Sequence, residues 1–252
     1  MAWIEADVEF NADRIERPIV GIASKLLRHD SGVHCHAKGQ LLFSEKGAMT
    51  IMLGDLLSVL PPQRLAWIPP HLPHRVQLTE VVNYRSIYVD HEAFPALPNT
   101  HLIWNVSPLL REILEVIAAS PWETDWTRAP AKNWLSVLWD ELDYGRVENM
   151  YLPLPTDYRL QRIDFNALPP PLHELTQTIG ASDKTITRVF QKETGLGYQA
   201  WRQQWRVLKA VSLLSEGLPL MEIADQLGFA SDTVFAQFFK KMTGQTPKQY
   251  CK

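Results

Sequence analysis

Long apolar runs are missing from this 252-residue chain, and no stretch approaches the ~18 consecutive apolar residues that a membrane-spanning helix needs. The opening "MAWIEADVEF" is acidic, with neither the basic start nor the apolar core of a secretory signal. Cysteine is almost absent. Cys35 and Cys251 stand at opposite ends of the sequence, which excludes a disulfide framework and any paired-cysteine metal spacing. A chain outside any membrane, in the reducing cytoplasm, is the expectation. A strong charge of either sign is also lacking: 25 Lys and Arg against 28 Asp and Glu leave a net charge of -3. The average hides an asymmetry, because from Asp157 onward twelve Lys and Arg face nine Asp and Glu, whereas the first 156 residues are acidic. That permits a nucleic-acid contact in the C-terminal part and excludes little else.

What is there is an ordinary globular composition, 46% hydrophobic and 21% charged, enough for a core in each of two domains. Proline marks the division. "YLPLPTDY" (151–158) favours extended backbone and "ALPPPLHEL" (167–175) interrupts structure again, so the boundary falls at about residue 155. Before it, short runs read as strands: "IVGIASKLL", "GQLLFSEKG", "AMTIML", "GDLLSVL", "LAWIPP", "HRVQL" and "YRSIYVD", each bounded by Gly, Pro or Asp. Two helices follow, over 107–120 and 129–145, the second with Trp134, Leu135, Leu138, Trp139 and Leu142 on one face. After the boundary nothing reads as a strand.

The C-terminal part repeats itself. "SDKTITRVFQKETG" (182–195) and "SDTVFAQFFKKMTG" (231–244) are the same amphipathic helix written twice. Ser182 and Ser231 suit the N-cap, Asp183 and Asp232 the positive end of the helix dipole, and Gly195 and Gly244 the C-terminus. Ile186, Val189 and Phe190 form the apolar stripe of the first copy, and Phe235, Phe238 and Phe239 that of the second. Each copy follows a shorter helix and a glycine turn, "LHELTQTIG" (172–180) and "LMEIADQLG" (220–228). Helix, tight turn and second helix make a helix-turn-helix, whose second helix enters the major groove of DNA. Between the units runs a helix over 198–217, with Trp201, Trp205, Leu208 and Val211 inward and Arg202, Arg206 and Lys209 outward. A rigid frame with two such heads can read two successive turns of the duplex. The competing reading of the same stripes is a helical bundle with no DNA partner.

The run "EIADQLGFASDTVFAQFFKKMTGQTPKQY" (222–250) resembles the signature of the AraC family of bacterial transcription regulators: Ile-Ala, Gly-Phe, a capping Ser, Phe, a basic pair, Gly, Thr-Pro and Tyr in that order. The resemblance covers nearly a hundred residues and both units. It implies an all-α, homeodomain-like double helix-turn-helix domain (156–252, units at about 172–195 and 220–244) controlled by an N-terminal domain (1–155) that senses a small-molecule effector or forms a homodimer. By the family's arrangement Lys184, Thr187, Arg188, Asp232, Thr233 and Gln237 face bases, and Gln191, Lys192, Lys240 and Lys241 face phosphates of operator or promoter DNA. An activator of this kind would also meet RNA polymerase. The Trp-bearing helix at 129–145 serves either the core of its own domain or a dimer interface, and the family's habits favour the interface.

The N-terminal part carries a second resemblance. "GVHCHAKGQLLFSEKG" (32–47) and "WIPPHLPHRV" (67–76) are similar to the two motifs of a cupin (RmlC-like) β-barrel, here about 1–92, with helices at about 105–148 behind it. The fold expected is therefore α+β in two domains. In metal-binding cupins the ligands would fall at His34, His36, Gln40 and His74, although Gln40 stands where Glu is usual and His71 where Gly is common. No cofactor is required for a DNA-binding regulator, and a divalent metal in the barrel is the optional addition. The alternative function is a metal-dependent cupin enzyme with an accessory helical domain; a third is a module that docks only on proteins.

Overall fold

The computed structural model describes residues 3–4, 10–78, 82–94, 97–148, 150–160, 163–164 and 167–250. Cys251 lies outside them. The chain divides into two compact units, one of Met1–Leu53 and Leu60–Met150 and the other of Gly54–Val59 and Tyr151–Lys252.

The first unit is built on two antiparallel sheets, as the cupin resemblance implies. One is five-stranded in the order β1 (Ile19–Leu26), β8 (Val82–Val89), β3 (Gly39–Ser44), β6 (Arg64–Ile68), β9 (Leu102–Asn105). The other contributes β4 (Met49–Leu53), β7 (Arg75–Leu78) and β2 (His29–Asp30) to this unit, with β7 between the other two. The burial follows the sequence pattern. Met49, Ile51 and Leu53 of β4 are buried while Thr50 and Met52 between them are half exposed, so β4 covers a core with one face. β3 is buried along its whole length because β8 and β6 flank it and material covers both its faces.

Helix α1 (Pro108–Ala119) starts at Ser107, whose Oγ accepts from the Leu110 N–H at 3.0 Å. It lies so close to β1 that a Cβ on Gly21 would stand 2.4 Å from the Ile117 carbonyl oxygen, so only glycine fits there. Leu110, Leu114 and Ile117 of α1 join Leu135, Leu138 and Leu142 of α2 (Ala131–Tyr144) and Phe43, Leu65 and Trp67 of the sheet in one core. Trp134 and Trp139 pack partly buried against that same core. The apolar stripe of the 129–145 helix thus belongs to the interior of its own unit, which corrects the preference for a dimer interface. β9 is a further difference: four residues between "PNT" and the α1 cap pair antiparallel with β6, carrying the sheet past residue 92. A four-residue apolar run has no periodicity from which to read it.

In the second unit β10 (Tyr151–Pro153) pairs antiparallel with residues Leu56–Ser58 of β5 (Leu56–Leu60), so part of the proline-bearing segment that favours extended backbone is a strand. It is held to the helices by Trp201 Nε1, which donates to the Pro153 carbonyl at 2.7 Å, and by Glu193, whose Oε2 accepts from the N–H groups of Thr156 and Asp157 at 2.8 and 3.0 Å. The helices are α3 (Leu172–Ile179), α4 (Asp183–Thr194), α5 (Tyr198–Ser215), α6 (Leu220–Gln226), α7 (Asp232–Thr243) and the short α8 (Pro247–Tyr250). α5 is the common frame. Trp201, Trp205, Leu208 and Val211 are buried, and so are Val207, Ala210, Leu213 and Leu214, because α4, α6 and α7 all pack against it.

Candidate functional site

The two repeated units close in the same way. After α3 the Ala181 N–H reaches the Thr176 carbonyl at 3.3 Å, and after α6 the Phe229 N–H reaches the Ala224 carbonyl at 2.8 Å, a six-to-one bond in both turns. Gly180 and Gly228 supply the left-handed residue this needs, with φ of 65° and 69°. The second helix of each unit then starts on its serine: the Thr185 N–H donates to Ser182 Oγ at 3.2 Å and the Val234 N–H to Ser231 Oγ at 3.3 Å.

These caps and turns fix which faces the helices show. Ile186 and Phe190 of α4 and Phe235 and Phe239 of α7 are buried; Val189 and Phe238 are half buried. Phe190 meets Tyr198 and Trp201 of α5 at ring separations of 4.9 and 5.1 Å. On the opposite faces Lys184, Thr187, Arg188, Gln191 and Lys192 of α4 are exposed, as are Asp232, Thr233, Gln237, Lys240 and Lys241 of α7. Three have internal partners as well. Gln191 Nε2 donates to the Gly195 carbonyl at 2.9 Å, closing the end of α4, and the Thr233 hydroxyl donates to Asp232 Oδ1 at 3.2 Å. The two faces differ in character: α4 shows three cations, while α7 begins acidic and places its two lysines in the last turn, where they also offset the helix dipole.

The arginines of α5 require correction. Read from periodicity they point outward, yet Arg202 Nε donates to the Pro169 carbonyl at 2.5 Å, and the Arg206 guanidinium lies 4.9 Å over the Phe229 ring. Burial lowers the Arg206 pKa, and its Nε has no hydrogen-bond partner among the described residues. Both side chains are half buried and serve to tie α5 to its neighbours.

The first unit holds a cavity of about 440 Å³, walled by Ile22, Leu26, Val76 and Leu78 and by Tyr84 and Tyr88 of β8. Its polar end is the histidine set. His34 and His74 exchange backbone hydrogen bonds at 2.9 and 2.8 Å, and the His71 N–H donates to the His36 carbonyl at 2.8 Å. This ties the "HCH" segment to the loop before β7. His71 adopts φ of 60°, which explains why Gly is common in this position of the motif. His36 and His74 are buried and His34 lies at the rim. Burial, the largest cause in each case, lowers the pKa of His36 and brings that of His74 down to about 4, so both imidazoles are neutral near pH 7.

Gln40 is buried beside them. Its Nε2 has Ser86 Oγ at 2.8 Å and the hydroxyls of Tyr84 and Tyr88 at 3.1 Å, three acceptors that share its two N–H donors, and its Oε1 stands 3.3 Å from His36 Nε2. Burial raises the pKa of both tyrosines, which keeps the hydroxyls protonated. This hydroxyl trio is absent from the sequence reading, although Tyr84, Ser86 and Tyr88 alternate with apolar or outward residues in "YRSIYV" and so share one face of a strand. Asp30 and Arg75, paired at the cavity's edge, are a second omission; the arginine holds the Asp30 carboxyl well below the usual carboxylate range.

Comparison with known proteins gives the same two parts. Residues 175–252 match the model of a helix-turn-helix domain, and residues 18–127 that of an AraC-like ligand binding domain. The HTH-type transcriptional regulator NimR of Escherichia coli (strain K12) is 31% identical over 225 residues, 87% of this chain and 82% of that protein. The virulence regulon transcriptional activator VirF of Yersinia enterocolitica is 25% identical, over 84% of this chain and 79% of that protein. Among solved structures, ToxT from Vibrio cholerae O395 aligns over 92% of this chain and 94% of its own, at 13% identity and a TM-score of 0.36. Among the described residues, no helix is long and apolar enough to cross a membrane.

Proposed function

The chain belongs to the AraC family of HTH-type transcription regulators, and from that premise we propose that α4 and α7 read one or a few promoters under control of a small molecule held in the cavity of the first unit. The observation that carries the reading is the pair of capped helices packed on α5, each with its apolar stripe buried and a polar face left in solvent. Lys184 and Arg188 have the chemistry to bind a guanine edge, Gln237 that of adenine, and Asp232 an acceptor for a cytosine amine, with Thr187 and Thr233 completing the base contacts. Gln191, Lys192, Lys240 and Lys241 are assigned to phosphates, where they position the protein and make its affinity depend on salt.

In this reading residues 1–155 are the sensor and 156–252 the DNA-binding domain. The cavity has the profile of a small-molecule site, apolar walls with a few convergent polar groups. Its occupant changes transcription only by binding the DNA-competent and incompetent states with different affinity. No cofactor is needed to read DNA, and sensing, not turnover, is the role assigned to the barrel, which sets the metal-dependent enzyme aside. The protein acts in the cytoplasm, where a homodimer would bring two pairs of heads to the operator and an activator would touch RNA polymerase.

Hydroxyl-radical footprinting of the bound promoter tests the two-headed part. The expected result is a pair of protected patches on one face of the duplex, ~10 base pairs apart for each chain bound. A single patch per chain would mean that only one of the repeated units reads DNA.

A further inference from the structure

The exposed face of α7 carries one residue to which no role has fallen. Val234 is 45% exposed and stands beside Asp232, Thr233 and Gln237, which are exposed as well. Three residues before Gln237, it shares that side of the helix. Lone apolar side chains are ordinary on a protein surface, so exposure by itself decides nothing. Two further observations single this one out.

The first is local. Ser231 is the N-cap and its Oγ accepts from the Val234 N–H, so Val234 occupies the third helical position. Helices favour Glu or Gln there, because the side chain reaches back to the N-cap N–H; a β-branched apolar residue forgoes that bond and loses rotamer freedom in the helix. The first copy of the repeat has Thr185 at the same position and uses it for the cap: Thr185 is half buried and its hydroxyl lies 3.0 Å from Ser182 Oγ. The side chain of Val234 adds nothing to its cap. A local rule broken on an exposed binding face, with no structural gain, points to function.

The second is the chemistry around it. α4 shows Lys184 and Arg188 early on its exposed face, whereas α7 has no cation before Lys240. Its first two turns offer a carboxylate, a threonine, an apolar side chain and an amide. A guanine edge, with two acceptors, calls for a cation. An A·T pair shows instead an adenine edge that suits an amide and the 5-methyl group of thymine, which suits an apolar side chain.

We propose that Val234 is a specificity-determining residue: it packs against the 5-methyl group of a thymine, and the second unit thereby requires an A·T pair at a fixed position of its half-site. The proposal rests on the reading of α7 as a major-groove helix and deepens it, because it names a base that the polar residues alone do not select.

The test uses the full chain and the promoter fragment it retains from sheared genomic DNA, shortened to the footprint. Each thymine in turn is replaced by deoxyuridine, which lacks the 5-methyl group and keeps the base pair. At one thymine the exchange should weaken binding of the native chain roughly fourfold, the value of one buried methyl group. Val234→Ala, which removes two methyl groups, should bind the unaltered fragment roughly five- to tenfold less well. It should also be indifferent to deoxyuridine at that same position, since the thymine methyl then has no partner to lose, while Val234→Ile, with its branched apolar surface intact, should keep the dependence. Alanine is the better helix former, so thermal unfolding of Val234→Ala should not fall, and its salt slope should match that of the native chain because no phosphate contact is lost. If no thymine shows the effect, or if the loss on exchange is the same in Val234→Ala as in the native chain, the role of Val234 is overturned and α7 remains a groove helix. Failure to retain any fragment, or a footprint of a single patch per chain, overturns the reading of α7 itself and the proposal with it.

Discussion

Arg188→Glu is expected to lower affinity for the operator by ~100-fold or more while leaving the thermal unfolding of the protein unchanged. Arg188 is exposed in the middle of α4, on the face opposite the buried Ile186 and Phe190. A bidentate arginine–guanine contact discriminates by ~1–3 kcal/mol, and a carboxylate in its place adds repulsion from the phosphates. Specific and scrambled duplexes, compared by fluorescence anisotropy over a series of salt concentrations, separate base reading from attraction to the backbone. The specific complex should lose more than the scrambled one. Lys241→Ala, in contrast, should weaken both equally and reduce the salt slope by about 1. Unchanged affinity for Arg188→Glu would mean that α4 presents a different face to the groove.

Phe239→Ala should cost ~3–5 kcal/mol of stability in the second unit. The side chain is fully buried, with Phe235 at 5.8 Å and Tyr250 at 5.3 Å between ring centres, so its removal leaves a cavity among aromatic rings that are themselves held by the fold. For a domain of about a hundred residues each kcal/mol shifts the midpoint by ~4–8 °C, so a fall of more than ~10 °C is expected by calorimetry. Phe238→Ala, half buried, should cost distinctly less. Equal effects of the two would place the core of α7 on the wrong stripe.

The repeat was the most legible part of this protein, because each of its features is local. A serine cap, a 3.6-residue apolar stripe and a left-handed glycine are read within a dozen residues, and Ser182, Ser231, Gly180 and Gly228 all act where the pattern puts them. Strands longer than four residues were legible for the same reason. What was not legible depends on partners distant in sequence. β9 is a strand only because β6 pairs with it, and β10 only because Leu56–Ser58 does. Arg202 and Arg206 have an outward spacing on α5, yet the loop carbonyl of Pro169 and the ring of Phe229 come from elsewhere in the chain and cover them. The Trp-bearing stripe of α2 shows the limit of periodicity: it reveals that a face is apolar, and tertiary packing decides that the face meets the core of its own unit.

The cavity lies between these cases. His34, His36, Gln40 and His74 were visible as a spaced motif, and the structure brings all four together. The hydroxyls that orient Gln40 belong to β8, more than forty residues away, and the carbonyls that meet the Nδ1 atoms of His34 and His74 belong to the main chain, which has no signature in sequence.

The claim on which the rest depends is that this chain recognises specific DNA, and the most direct test is selection of fragments from sheared genomic DNA by the purified protein at rising salt. The account predicts that one or a few promoter fragments are retained after the bulk has been released, with affinity falling steadily as salt increases. Fragments bound evenly across the genome, or no DNA retained at any salt, would contradict it.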